Sequence, residues 1–269
     1  MKFLFCLVTC MKGMAQPYHL QSETAYISAG AYSTHLNDVF SFICNPASLG
    51  NTEGFSCGIL AERKWMLKEL DNYVMAFSGN LGRGGLGVLF QQSGDANYNE
   101  QSLELAYGKN IGKVEIGIRF NYLRDKVPGY PGIGFGSTGI SMRFHVSKKL
   151  ITGWEIGIPV FGKAGEMNPE KDPQLFKTGF GYEYTENLLL AIQIVKVTGL
   201  PLNVIPSIEY HYDEHFFFSF GINSNSGSPF FKSGWKKNKL SIEIYTVYET
   251  VLGFSPGLML IWENKKKKE

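Results

Sequence analysis

From Gly54 almost to the C-terminus, apolar residues alternate one by one with polar or very small ones, and the alternation restarts segment after segment. It is cleanest between Lys113 and Asn121. There Val114, Ile116, Ile118 and Phe120 fall on one side, and Glu115, Gly117, Arg119 and Asn121 on the other. Successive side chains of a strand point to opposite faces, so a period of two means strand. One face is wholly apolar, while the other carries charge and glycine. A soluble sandwich would bury the apolar face. A membrane barrel would turn it to lipid and keep the polar face for its lumen.

The connections favour the barrel. Fourteen strand candidates can be marked between residues 54 and 263, most of them about ten residues long, the length a tilted strand needs to cross a bilayer. Every second connection is short, as at Leu81-Gly82-Arg83, Asn110-Ile111-Gly112, Thr185-Glu186-Asn187 and Lys237-Asn238. Those between are mostly longer, such as 127–134, 162–173 and 249–255. An even strand number, tight turns on the periplasmic side and longer loops outside are the habit of outer-membrane barrels. No run of 18 apolar residues occurs, so a transmembrane helix is excluded. The expected fold is therefore all-β: a closed antiparallel transmembrane barrel of about fourteen strands.

Reading the faces assigns Leu103, Leu105, Tyr107, Ile140, Trp154, Ile156, Phe218, Ile244, Leu260 and Trp262, among others, to lipid. Tyr107, Tyr182, Tyr184, Tyr210, Tyr212 and Trp262 fall near strand ends, where interfacial aromatic girdles belong. The lumen receives Glu62, Glu104, Glu115, Arg119, Arg143, Glu155, Glu209 and Glu243, together with Lys177 and Glu183. Charges there must be hydrated or paired, so the lumen is either a conduction path or a salt-bridged, plugged interior.

Before the first strand, residues 1–16 read as an export signal: Lys2, an apolar stretch from Phe3 to Val8, and the small-residue site Gly13-Met14-Ala15. Residues 17–50 show no alternation and read as a short helix and loop, a hatch for the lumen. The barrel is expected over 51–264, followed by a basic tail at 265–269. Cys44 and Cys57 read as two unpaired small residues, although an oxidising periplasm permits a bond.

The sequence offers no catalytic machinery. There is no Gly-x-Ser-x-Gly elbow and no His-Glu-x-x-His helix. His211-Tyr212-Asp213-Glu214-His215 is dense in metal-ligand types but spans a tight turn, which scatters side chains. With a net charge of +2, bulk electrostatics point to no nucleic-acid partner. The expectation is a non-enzymatic protein with no cofactor and no metal, in contact with outer-membrane lipid.

The segment Ser28-Ala29-Gly30, Asn37-Asp38-Val39-Phe40-Ser41 and Asn45-Pro46-Ala47-Ser48-Leu49-Gly50 resembles the N-terminal signature of the FadL superfamily of outer-membrane barrels. In that superfamily a small-residue stretch, an acidic residue and an Asn-Pro-Ala-x-Leu motif precede a fourteen-stranded barrel. The matching positions are Asp38, Asn45, Pro46, Ala47 and Leu49. The chain also resembles the PorV/PorQ-type branch, through residues 63–70 between the first two strands and Val251-Leu252-Gly253-Phe254-Ser255-Pro256 before the last. That branch implies an accessory barrel docked to a larger outer-membrane protein partner of the type IX secretion system. The superfamily as a whole implies the alternative, a transporter passing hydrophobic small molecules across the outer membrane.

Overall fold

The computed structural model describes residues 29–129, 132–162 and 174–264. The export signal, the start of the hatch segment and the basic tail lie outside the described residues. Fourteen strands follow the N-terminal segment. The first five are Phe55–Arg63 (β1), Asp71–Asn80 (β2), Gly85–Gly94 (β3), Asn99–Ile111 (β4) and Val114–Lys126 (β5). Then come Ile133–His145 (β6), Leu150–Gly162 (β7), Leu175–Thr185 (β8), Leu188–Val197 (β9) and Asn203–His211 (β10). Phe216–Asn223 (β11), Ser228–Lys237 (β12), Leu240–Glu249 (β13) and Gly253–Asn264 (β14) complete the set.

Each strand pairs antiparallel with its sequence neighbours, and β1 closes on β14 in the register Phe55↔Asn264 to Glu62↔Gly257. Closure leaves no unpaired edge, as the hydrocarbon layer requires of every backbone N–H and C=O. The ladder shifts register in two places, at Gly136/Ser137 in β6 and Glu183/Thr185 in β8. The wall is otherwise regular.

Period two decides which side chain meets which medium. In β5 the even-numbered Ile116, Ile118, Phe120 and Tyr122 lie on the outer surface, and Glu115, Arg119 and Asn121 are buried inside. The outer surface carries a broad apolar band including Ile59, Leu105, Ile140, Ile158, Phe220 and Ile244. Tyr184, Tyr210, Tyr212 and Trp262 stand at the end of the barrel that holds the short turns, while Tyr73, Tyr122 and Phe254 stand at the other. We take the short-turn end as periplasmic. Cys57 sits in the outer wall and Cys44 is buried in the hatch, and no disulfide joins them.

Depth in the bilayer should grade the cost of charge on this outer face. Ile118→Arg, near the middle of β5, should destabilise the barrel by about 2–4 kcal/mol, against about 0–1 kcal/mol for Val127→Arg at the rim. Denaturant unfolding of both variants in lipid vesicles measures the difference. Equal costs would contradict a bilayer centred on the middle of β5.

Candidate functional site

The N-terminal segment enters the barrel and fills its periplasmic half. It comprises a 3-10 turn at Ala29–Tyr32, a single helical turn at Ser41–Cys44 and a second 3-10 turn at Pro46–Asn51. Its shape is written in the motif residues. The Asp38 carboxylate accepts from Phe40 N–H and from the Ser41 hydroxyl, both at 2.9 Å, and the same hydroxyl oxygen accepts from Asp38 N–H at 3.0 Å. This reciprocal pair starts the helical turn as an N-terminal cap would. Asn45 is extended (φ −153°, ψ 109°), as a residue before proline must be. Its Oδ1 accepts from Ala47 N–H at 2.9 Å, and its Nδ2 donates to Met142 C=O at 3.3 Å. Pro46 then opens the last turn, where its missing N–H costs nothing. Asn45 and Ala47 are wholly buried, as is Leu49 beside them.

Glycines in the wall let this plug approach. A methyl group built on Gly181 of β8 would lie 2.0 Å from the Tyr32 carbonyl oxygen, and one on Gly117 of β5 would lie 2.4 Å from Ala47 N. Both contacts are with backbone, so no rotamer change relieves them. Gly58, Gly87, Gly108 and Gly179 face Phe40, Phe42, Leu49 and Tyr32 at similarly short range. These six glycines of the lumen face are thus a fitted bed for the plug, whereas Gly221, Gly234 and Gly257 make room for the wall's own Phe230, Phe217 and Tyr245.

Charged side chains fasten it. Arg119 Nη2 donates to the carbonyls of Phe42 (3.0 Å) and Ile43 (2.9 Å), and Lys177 Nζ donates to the Ile43 carbonyl at 3.2 Å. These are the orphan acceptors at the C-terminal end of the helical turn. Arg119 also pairs with Glu104 at 3.0 Å and Glu155 at 2.8 Å, and Lys177 lies 3.5 Å from Glu155. Two bases and two acids, all nearly inaccessible, therefore cancel around the helix end. Nearer the periplasm, Arg143 donates to Ala31 C=O at 2.7 Å and pairs with Glu115, which also receives His145 and Asn51. The Glu183 carboxylate accepts from the Ser33 hydroxyl (2.5 Å) and from Thr34 N–H (2.6 Å), with His35 Nδ1 at 2.9 Å from its second oxygen. Within the plug, burial pushes the Cys44 thiol up to about 12 and raises the Tyr32 phenol above its ordinary range, so both stay neutral.

The remaining lumen charges lie apart from these contacts. Glu209 and Glu243 flank Lys232 at 3.4 Å each, and His211 joins Glu209 at 3.1 Å. This group and Asp38 of the plug line one small cavity of about 60 Å³. Glu62 lies at the extracellular end with Asn72 at 3.3 Å. The dense histidine turn is a capped hairpin: Asp213 accepts from the N–H groups of His215 and Phe216. Among the described residues, no three metal-ligating side chains converge.

Above the plug the lumen changes character. Leu60, Val74, Leu89, Val195, Phe230, Tyr245 and Met259 are buried inward and form one cluster with Val39, Phe40, Phe42 and Ile43 of the plug. Sequence reading placed only charges and glycines inside and missed this apolar sector. At the extracellular mouth the turn Lys64–Met66 leans against β14, where Trp65 N–H donates to Ser255 Oγ at 2.9 Å. Trp65 and Met66 both take left-handed backbone (φ 50° and 60°), which is uncommon for large side chains. Burial lowers the pKa of Lys64, opposed by the nearby carboxylates of Glu100 and Glu249.

No family model and no curated protein matches the chain. Solved structures do. The Pseudomonas putida toluene transporter TodX superposes with a TM-score of 0.57 at 9% identity, over 88% of this chain and 95% of that one. A TodX deltaS2S3 mutant monoaromatic hydrocarbon channel gives 0.56 at 10% identity, over 88% and 96%. The Acinetobacter baumannii outer membrane protein Omp33 gives 0.53 at 9% identity, over 80% and 100%. At such identities the likeness speaks for the fold alone: a closed antiparallel β-barrel of fourteen strands, of the kind those outer-membrane proteins share.

Two outcomes test the plug. Gly181→Val keeps a strand-favouring residue in β8 but removes the space for Tyr32, so it should raise ion conductance across planar bilayers. Gly79→Val, with only the Phe55 side chain within 3.5 Å, should leave conductance unchanged. Separately, Arg119→Leu takes the guanidinium away from the buried Glu104 carboxylate and leaves Glu155 with Lys177 alone, and should cost about 3–5 kcal/mol in equilibrium unfolding. A loss below about 1 kcal/mol, the scale of an exposed pair, would mean that the ion cluster does not hold the structure.

Proposed function

We propose that this chain is a non-enzymatic outer-membrane transporter that passes small hydrophobic molecules, with the N-terminal plug as its moving part. The observation that carries this reading is the apolar lumen wall above the plug. A barrel built for water-soluble cargo lines its interior with polar groups. Here Leu60, Val74, Leu89, Val195 and Met259 form one surface with the apolar top of the plug, beneath a polar rim of Glu62, Asn72, Gln91 and Ser93. Such a surface offers little to a sugar or an ion and favours transfer of a hydrocarbon, at about 25 cal/mol per Å² of apolar contact. The fold likeness to a toluene transporter supports the same cargo class. The plug must then yield during passage, since the wall meets it at contact distance from several sides.

A second reading is the accessory role, in which a PorV/PorQ-like barrel docks to a larger protein of a type IX secretion machine. It rests on one observation. The two segments that carry that resemblance, 63–70 and 251–256, lie together at the extracellular rim, joined by the Trp65–Ser255 hydrogen bond. They expose Met66, Leu67, Val251, Leu252 and Phe254. The transport reading has more behind it, because the apolar surface it uses lies inside the barrel.

Uptake of radiolabelled toluene into cells expressing the protein, compared with cells lacking it, separates the two. Transport predicts faster uptake, abolished by Leu89→Asp together with Val195→Asp. Unchanged uptake, with a large stoichiometric partner in mild-detergent purification, would overturn transport in favour of docking.

A further inference from the structure

The outer wall carries a basic notch at its extracellular edge that neither the plug nor the lumen uses. Arg124 and Lys126 continue the outward row of β5 beyond Phe120 and Tyr122, and both are exposed. At about 3.3 Å per residue, Arg124 lies only some 7 Å along the strand past the girdle residue Tyr122. Across the ladder they face Gln101 and Asn99 of β4 in register. With Asp95 and its loop, these residues line a depression of about 330 Å³. Immediately below, Leu103, Leu105 and Phe120 belong to the lipid-facing band. The notch therefore sits where acyl chains give way to headgroups.

Its charge is not neutralised from within. Among the described residues neither Arg124 nor Lys126 has an ion-pair partner. Arg63, an outward arginine at the same end of β1, instead holds Asp71 through two hydrogen bonds of 2.8 and 2.9 Å. The acid of the notch, Asp95, is turned into its own loop: its oxygens accept from Asn97 N–H at 2.8 Å, Tyr98 N–H at 3.1 Å and the Asn97 amide at 3.1 Å. A guanidinium and an ammonium, with two neutral amides beside them, make a donor set suited to phosphate oxygens.

We propose that this notch seats the phosphate-bearing headgroup of an outer-leaflet lipid, with Arg124 and Lys126 on the phosphate and Gln101 and Asn99 on the sugar or glycerol that carries it. The acyl chains then lie against Leu103, Leu105 and Phe120. This seat is independent of what crosses the lumen.

The test uses the full chain in neutral detergent, with native mass spectrometry and fluorescence titration as readouts. The probes are a diphosphorylated, acylated glucosamine disaccharide, the same lipid after removal of its phosphates, and inorganic phosphate. The wild-type protein should bind the phosphorylated lipid and retain the dephosphorylated one poorly. The double variant Arg124→Gln, Lys126→Gln should lose affinity by on the order of thirtyfold, about fivefold per charge. Lys113→Gln with Lys148→Gln, at the periplasmic end, should lose none. Equal binding of both lipids, or an unchanged double variant, would overturn the proposal. Displacement of the lipid by millimolar inorganic phosphate would overturn the lipid assignment and leave a soluble-anion site. If the double variant fails to fold, salt titration of the wild type decides. Affinity for the phosphorylated lipid should fall with salt and that for the stripped lipid should not, while equal slopes would sink the idea.

Discussion

The hydrogen-bonded seam between β1 and β14 is the constraint on which the rest of this structure depends. In hydrocarbon an unsatisfied backbone group costs several kcal/mol, so a sheet that spans the bilayer must close. Once it closes, every strand has one face in lipid and one in a narrow interior, and the two faces obey opposite rules. Ile118 and Ile140 gain from being outside, whereas Glu115 and Arg143 survive only because they meet each other inside. The plug answers the same constraint. Its irregular backbone has carbonyls at Ala31, Phe42 and Ile43 and an N–H group at Thr34 that its own turns leave over, and the lumen charges take them up.

That exchange explains why so much charge is buried in so small a space. An ion pair taken out of water loses in desolvation much of what it gains by attraction. The cluster of Glu104, Arg119, Glu155 and Lys177 recovers part of that loss by donating to the plug's helix end. The wall therefore recognises the backbone path of the plug rather than its side chains alone. Glycine makes the same point sterically: at Gly117 and Gly181 it is backbone, not a movable side chain, that occupies the place of a Cβ.

Much of this was legible in the sequence, and for a physical reason. Strands with lipid on one face and charge on the other announce their phase, so the fourteen segments could be marked within a few residues and Glu104, Glu115, Arg119 and Glu155 placed inside. Where both faces are apolar the outward phase can still be read, but the inner face loses its mark. In Leu258-Met259-Leu260-Ile261 the outward assignment of Leu258 and Leu260 agrees with the structure, while nothing polar flagged Met259 and Ile261 as the inner row. The apolar sector of the lumen went unread for that reason. Pairing was equally hidden. Lys232 stands between Glu209 and Glu243 because β10, β12 and β13 bring them to one level, a matter of register that composition does not carry. The Asn45-Pro46-Ala47 bend was readable because proline restricts its neighbour, whereas the Met142 carbonyl that receives Asn45 lies far along the chain.

The plug is fastened unevenly, and in the transport reading this bears on how it would move. Most of its polar anchors come from one arc of the wall: Asn110 on β4, Glu115 and Arg119 on β5, Ser141 and Arg143 on β6, Lys177 and Glu183 on β8, with Asn80 of β2 holding only the Thr52 carbonyl at the rim. Towards β1 and β3 it makes van der Waals contact, with Val39 and Phe40 over Gly58 and Phe42 and Leu49 over Gly87. Towards β10, β12 and β13 it meets the small cavity below Asp38. Sliding an apolar surface across another apolar surface leaves no donor or acceptor bare, whereas lifting Ile43 from Arg119 and Lys177 does. A plug that yields to hydrophobic cargo therefore keeps its hold on β5 to β8 and gives way along β1 to β3. The path so opened runs past Leu60, Val74 and Leu89, the side of the lumen whose chemistry matches such cargo.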